Sequence, residues 1–367
     1  MQIVKGCVLI LCVLALAGGC SNDPTTPADT ASDQNNVLSG GGPSLPFPND
    51  GTIVELGSGS VNGLAGAIAA AGSGGTVIVK PGIHTLSSRV MITSSVSIVG
   101  EDGAVLKLDT APSPSFPATL DIGLHIKGVS RVMIQNLDIR PVGLIGGTAV
   151  VIEDSRNICI VGNKFANFQW SVIFESGMIS RIEGNTISAS PAWIDGTIPE
   201  ADGIVVVNGF GVDVRDNSVS NALFGIWACG SGGRVFENYA SGNFVGIMLC
   251  KVPEASFALP GGRMTGSKVA ATGWVTFNNT STDNLDAGYL VTDGANKNKL
   301  TNNIGGGNGT YDIELTGDTN RFGFLMPASF DNVVNAGSPN GIVIKDCGND
   351  NIVNGGRRVD TDKDVCM

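Results

Sequence analysis

The stretch Val212–Ile226, "VDVRDNSVSNALFGI", decides the fold. Its first half alternates as a β-strand does: Val212 and Val214 are apolar, Asp213 and Arg215 charged. That two-residue period places alternate side chains on opposite faces. Asn217 then stands where the strand should end. A short apolar restart follows at Val219, and a new run begins at Gly225-Ile226. Such a unit of short strands and tight corners cannot bury its own apolar side and requires neighbours of the same kind.

The chain supplies them. Strands ending in asparagine recur as "MIQN" at Asn136, "IVGN" at Asn163, "RIEGN" at Asn185, "VRDN" at Asn217, "VFEN" at Asn238, "TFNN" at Asn279 and "LTNN" at Asn303. A second strand type starts at Ala149, Ser171, Gly203, Gly225, Gly246, Gly288, Asp312 and Gly341, with steps of 22, 32, 22, 21, 42, 24 and 29 residues. The short steps define one coil, and the long ones are coils carrying insertions. A fixed period of this size is the signature of a solenoid. Stacking brings equivalent residues about 4.8 Å apart. A corner asparagine can then bond the backbone and the next asparagine, satisfying polar groups turned away from water. Along each strand Ile204 and Val206 are expected inward, and Val205 and Val207 outward.

These asparagines and the "GI-x-(V/A/L)" strands resemble the right-handed parallel β-helix repeat family within the broad pectate-lyase-like group. So does "GLAGAIAAAGSGGTVIVKPGIHTL", Gly63–Leu86, as a short capping helix, first strand and "PG" turn. The resemblance spans roughly 52–356. It implies an all-β, single-stranded right-handed parallel β-helix with a short N-terminal capping helix. An end cap is physically required, because the terminal coil otherwise exposes apolar side chains and unpaired strand groups. Many chemistries share such a scaffold, so the fold alone names none.

Composition narrows the classes. The 367 residues carry a net charge of −11 with no basic cluster, which argues against nucleic acid as a partner. Lys5, the run "VLILCVLALA" and "AGGC" ending at Cys20 read as an export signal too short to span a membrane. They resemble a bacterial lipoprotein signal with Cys20 lipidated, although Ala17 stands where such signals more often carry Leu; an ordinary secretory signal is the other reading. The expected organisation is signal peptide 1–19, lipidated tether 20–50, β-helix 51–356 and C-terminal tail 357–367. The tether is rich in Pro, Ser, Thr, Asp and Gly and lacks periodicity. The lipid would place the chain in the bacterial cell envelope, at the outer membrane of a Gram-negative cell.

The resemblance makes the outer groove along the first strands a carbohydrate platform. That face offers Val151, Glu153, Ile173, Glu175, Val205, Val207, Trp227, Cys229, Met248, Cys250, Leu290 and Thr292. Insertions at Ser190–Asp202 and Lys251–Lys268 border it and are expected as walls of a cleft floored by Trp227, which either stacks on sugar or packs beneath a loop. Glu153, Glu175, Asp195, Glu200 and Asp202 are candidate acids, with Glu153, Glu175, Asp202 and Lys251 as the catalytic set. Trp227, Trp193 and Arg263 are the ligand-binding set. Hydrolysis requires two carboxylates flanking the bond. A lyase or epimerase requires a base and a cation such as Lys251, Arg156 or Arg263. The alternative is a solvated outer face.

No polygalacturonase-like "NTD … DD … GHG … RIK" set occurs, nor "DPHD", and "WIDG" at Trp193–Gly196 lacks the histidine of calcium pectate lyases. These absences favour a noncatalytic surface or adhesion scaffold over the leading expectation, polysaccharide binding or processing. No cofactor is specified; calcium enters only with a lyase, and the tail "DTDKD" lacks the glycine and final glutamate of a calcium loop. Oligomeric state is left open. Arg181, Asp213 and Arg234, four before successive asparagines, should form an outward charge ladder, as should Glu183 beneath Arg215. Cys229 and Cys250 fall at one strand position in adjacent coils, as a disulfide or two free thiols. Cys347 and Cys366 are a second candidate pair.

Overall fold

The computed structural model describes residues 51–115, 117–318, 327–337 and 341–359. The export signal, Cys20, the tether, Cys366 and the "DTDKD" tail lie outside these residues. The described chain is a parallel β-helix. Its first and second strands merge into one 21-stranded sheet, in part because Phe168–Glu183 and Asp202–Arg215 bend through the corner unbroken, and nine short third strands form the opposing sheet. The register carries Val172, Ile204, Ile226 and Ile247 over one another, and Arg181, Asp213 and Arg234 likewise.

The opening asparagine has the role its position predicts. Asn217 Oδ1 accepts the Asn185 backbone N–H at 3.0 Å and Nδ2 at 2.9 Å, while Asn217 Nδ2 donates to Ile182 O and to Asn238 Oδ1. The same pattern joins Asn163, Asn185, Asn217, Asn238, Asn279 and Asn303 into a buried ladder. The residue before each asparagine makes the corner with left-handed backbone: Gly162, Gly184, Asp216, Glu237, Asn278 and Asn302, with φ of 53–64°. Glycine, aspartate and asparagine suit that region best.

Asn136 is a correction. Register sets Gln135 opposite Val161, so Asn136 is itself the left-handed corner (φ 55°), and it is exposed. Leu137 occupies the ladder row and donates its N–H to Asn163 Oδ1 at 3.0 Å, so the ladder begins at Asn163. Two further ladders, Asn243–Asn284–Asn308 and Asn298–Asn332–Asn351, line the other corners.

The central core is mostly aliphatic, with Phe165, Phe168, Phe174, Trp274 and Tyr289 among it, and continuous from Leu56 to Ile344. The helix Gly63–Ala71 closes its N-terminal end by burying Leu64, Ala67, Ile68 and Ala71. The stack continues past the expected boundary at 356, because Arg357–Val359 pairs in parallel with Val343–Lys345. Cys229 and Cys250 lie opposite each other and form a disulfide.

Candidate functional site

The outer face of the first strands is covered. Val205, Val207, Trp227, Cys229, Met248, Cys250 and Leu290 form a second apolar core with Phe257, Leu259 and Val252 of the Lys251–Lys268 insertion and with Ala118, Leu120 and Ile122. Phe257–Ala258 pairs in parallel with Ala118–Thr119 and antiparallel with Met264–Thr265, making a three-stranded sheet above that core. The far end of the insertion is tied down. Asn208 Nδ2 donates to Gly266 O, Lys268 N donates to Asn208 Oδ1, and Ser267 Oγ donates to Val207 O. The insertion is therefore a roof where a wall was expected. Trp227, 6% exposed, packs edge-on against Phe224 instead of flooring an open cleft.

At the edge of that roof four charged residues converge. Arg263 Nη2 bonds Glu153 at 2.7 Å and Glu175 at 2.9 Å, and both carboxylates are buried. Glu153 also meets Lys127 Nζ at 3.0 Å and His125 Nε2 at 2.8 Å. Glu175 accepts from Thr265 Oγ1 at 2.6 Å and shares the single Ser176 hydroxyl proton with Asp154. Burial alone would raise the Glu153 carboxyl, but Lys127, Arg263 and His125 together hold it below the ordinary range. Burial pushes the His125 imidazole below its ordinary value, outweighing the attraction of Glu153. The structure thus brings Glu153, Glu175 and Arg263 together. The guanidinium bridges the two buried acids, and together with Lys127 it balances their charge, the arrangement of a partly buried ion-pair network.

The remaining predicted residues lie apart from this cluster. Asp202 is fully buried, accepting from Trp170 Nε1 and Phe224 N, both at 3.1 Å. Burial and the neighbouring Glu200 raise its carboxyl well above the ordinary range, and burial lifts Glu200 to about 7. Glu200 Oε1 has no hydrogen-bond partner. Lys251 faces Glu254 at 4.0 Å, away from the acids it was grouped with. Trp193 belongs to a small separate cluster, donating to Asn221 O and meeting Phe244 edge-on. Asp195 is exposed and held low by Thr197. Among the described residues, no group of three or more His, Cys, Asp or Glu side chains is placed to hold a metal ion.

Beside the charged cluster, at the corner between first and second strands, lies an open hollow of about 470 Å³. Gly128, Val129, Ser130, Asp154, Ser155, Arg156, Gly177 and Met178 line it. Glu153 immediately precedes its rim in sequence and Glu175 stands two residues before Gly177, and Ser176 Oγ lies 2.6 Å from Asp154 Oδ1. Gly177 is required here: a Cβ would lie 1.9 Å from the Ser155 carbonyl oxygen, and its φ is 148°. Of these residues only Arg156 had been singled out. The others are backbone corners and small side chains with no motif of their own.

A family model described as "Right handed beta helix region" matches residues 122–322. No curated protein matches. Among solved structures, the surface protein and adhesin PfbA of Streptococcus pneumoniae is similar at TM-score 0.52 and 12% identity, over 83% of this chain and 95% of that one. The PL6 family alginate lyase AlyGC matches at TM-score 0.46 and 14% identity over 85% of this chain, which spans 40% of the lyase's length. The catalytic domain of a GH87 α-1,3-glucanase matches at TM-score 0.45 and 9% identity, over 91% of this chain and 68% of that one. At such identities the likeness is one of fold.

Proposed function

Because the chain belongs to the right-handed β-helix family, whose stacked rungs hold side chains in fixed rows, we propose that it binds polysaccharide at the exposed corner of the first strands. The observation that carries this reading is the open hollow between Arg156 and Met178. A sugar ring requires an apolar surface for its C–H face and polar partners for its hydroxyls. Met178 supplies the first, and Ser130, Asp154 and Arg156 the second. The roofed face beneath Lys251–Lys268 offers no such access, and the acids Glu153 and Glu175 are occupied by Arg263. Binding therefore fits the geometry better than cleavage does.

Export as a lipoprotein is part of the same proposal: Cys20 carries the lipid, and the 20–50 segment holds the β-helix off the envelope. Sedimentation of the full chain with a panel of acidic and neutral polysaccharides tests the first part, and absence of binding to all of them refutes it. Reducing-sugar release and unsaturated-end absorbance, followed in parallel, would report cleavage and overturn the preference for binding. Cys20→Ser tests the second part; a variant that still fractionates with membranes refutes it.

A further inference from the structure

We infer that the ligand is an anionic polysaccharide and that it runs along the solenoid axis over the column Ser130, Arg156, Met178 and Phe210. This deepens the binding reading above and rests on it. The four residues are set opposite one another on successive rungs, Ser130 to Arg156, Arg156 to Met178 and Met178 to Phe210. At about 4.8 Å per rung they span roughly 14 Å, a length that takes a short stretch of polymer and not a single sugar.

Three independent features point to an occupant. The first is apolar exposure: Phe210 is 61% exposed, Met178 45% and the adjoining Ile179 44%. Together they form an apolar strip that continues the hollow.

The second is charge. Arg156 and Arg131, on neighbouring rungs, are both exposed, and neither forms an ion pair among the described residues. Arg140, Arg181, Arg215, Arg234 and Arg263 are by contrast each paired with a carboxylate, while Arg89, off this column, is also exposed and without an ion pair among the described residues. Asp154, the one acid lining the hollow, is bonded by Ser176 and leaves its second oxygen for a sugar hydroxyl. A planar guanidinium matches a carboxylate or sulfate bidentately.

The third is backbone strain. Ile179 adopts φ 50°, a region that a β-branched residue enters only at a cost of about 1–3 kcal/mol. The same corner is left-handed on the neighbouring rungs, held by Arg131 (φ 61°) and Asn157 (φ 53°) before it and by Gly211 (φ 63°) and Gly232 (φ 58°) after it, and Ile179 is the one β-branched residue with positive φ among the described residues. Keeping a solvent-exposed isoleucine where the neighbouring rungs use arginine, asparagine or glycine gives nothing to the core, which lies on the other side of the sheet. A surface that something covers accounts for it.

The test uses the full chain with a polyuronate, a sulfated glycan and a neutral glucan, read by titration calorimetry at two salt concentrations. Wild type should bind the charged polymers more tightly than the glucan, and more weakly at the higher salt. Arg156→Gln should lower affinity for the charged polymers at least tenfold and flatten the salt dependence. Phe210→Ser should lower affinity several-fold for every polymer that binds, with circular dichroism showing each variant folded. If wild type binds charged polymers and both variants match it, the site is wrong although the chain binds polysaccharide. If the glucan binds as well as the charged polymers and Arg156→Gln is silent, the ligand class is wrong. If nothing binds, the parent reading falls. If the chain instead self-associates and Phe210→Ser abolishes this, the strip is an interface between copies and the inference is overturned.

Discussion

Asn217→Ala is the sharpest perturbation of this fold. The side chain is buried and makes four hydrogen bonds across three rungs. Truncation leaves the Asn185 backbone N–H and one N–H of its amide without an acceptor, and removes a donor from Ile182 O. A buried donor left unpaired costs about 1–3 kcal/mol. Two of them give about 4 kcal/mol, with the lost carbonyl partner adding less because that oxygen has a second lone pair. Guanidinium unfolding followed by circular dichroism would read the change as a shift in midpoint. Asn136→Gly is the internal control: that asparagine also follows a β-strand, yet it is exposed, off the ladder and at a left-handed corner that glycine adopts freely, so its loss should stay within about 0.5 kcal/mol. If the two variants unfold alike, or if Asn217→Ala costs under about 1 kcal/mol, the ladder is not what satisfies the corner and the reasoning from buried polar groups fails.

Other outcomes follow from the same geometry. Glu200, lifted to about 7 by burial from an ordinary value of 4.5, binds its proton more tightly folded than unfolded. Its contribution is therefore intact below about 4.5 and lost as pH rises through about 7, by up to about 3 kcal/mol; Glu200→Gln should shrink the fall in urea midpoint between pH 5 and 8, the remainder coming from buried Asp202. Glu153, held low by Lys127, Arg263 and His125, acts in the opposite sense, so Glu153→Gln should blunt the loss of stability on acidification. Arg263→Met leaves two buried carboxylates short of a partner; a break of that kind costs about 3–5 kcal/mol when fully buried, and about 2 is expected here because Arg263 is 46% exposed. Limited proteolysis should then cut between Lys251 and Lys268. Reduction of Cys229–Cys250, which closes a loop of 21 residues, should lower stability by about 3 kcal/mol, and Cys229→Ser/Cys250→Ser should be indifferent to reductant.

The repeat was legible because side chains alone carry it: an asparagine after an alternating strand, at nearly constant offset, has few uses other than a stacked corner. Asn136 misled because the left-handed corner residue and the ladder residue are adjacent and both favour asparagine; only the register, with Leu137 opposite Asn163, separates them. The roof was half-legible. "GIVVV" at Gly203–Val207 is apolar at every position after the glycine, the pattern of a strand buried on both faces, and a water-facing groove would not need Val205 and Val207. What no local pattern gave was the partner, because Phe257 reaches Ala118 only through tertiary folding. The hollow and Ile179 were hidden for a different reason: backbone dihedrals at a corner leave no trace in a sequence when arginine, asparagine, isoleucine and glycine hold it on successive rungs.

The pairing of Phe257–Ala258 with Ala118–Thr119 changes how the molecule bears load. A pile of rungs, each gripping only the next, comes apart from its ends one at a time under tension. This hydrogen-bonded lashing reaches across six intervening first strands, Ile122–Lys127 to Val245–Cys250, and so binds the middle of the pile into one block. Stretched between its termini, the chain should fray gradually at both flanks and then yield its centre in a single large step.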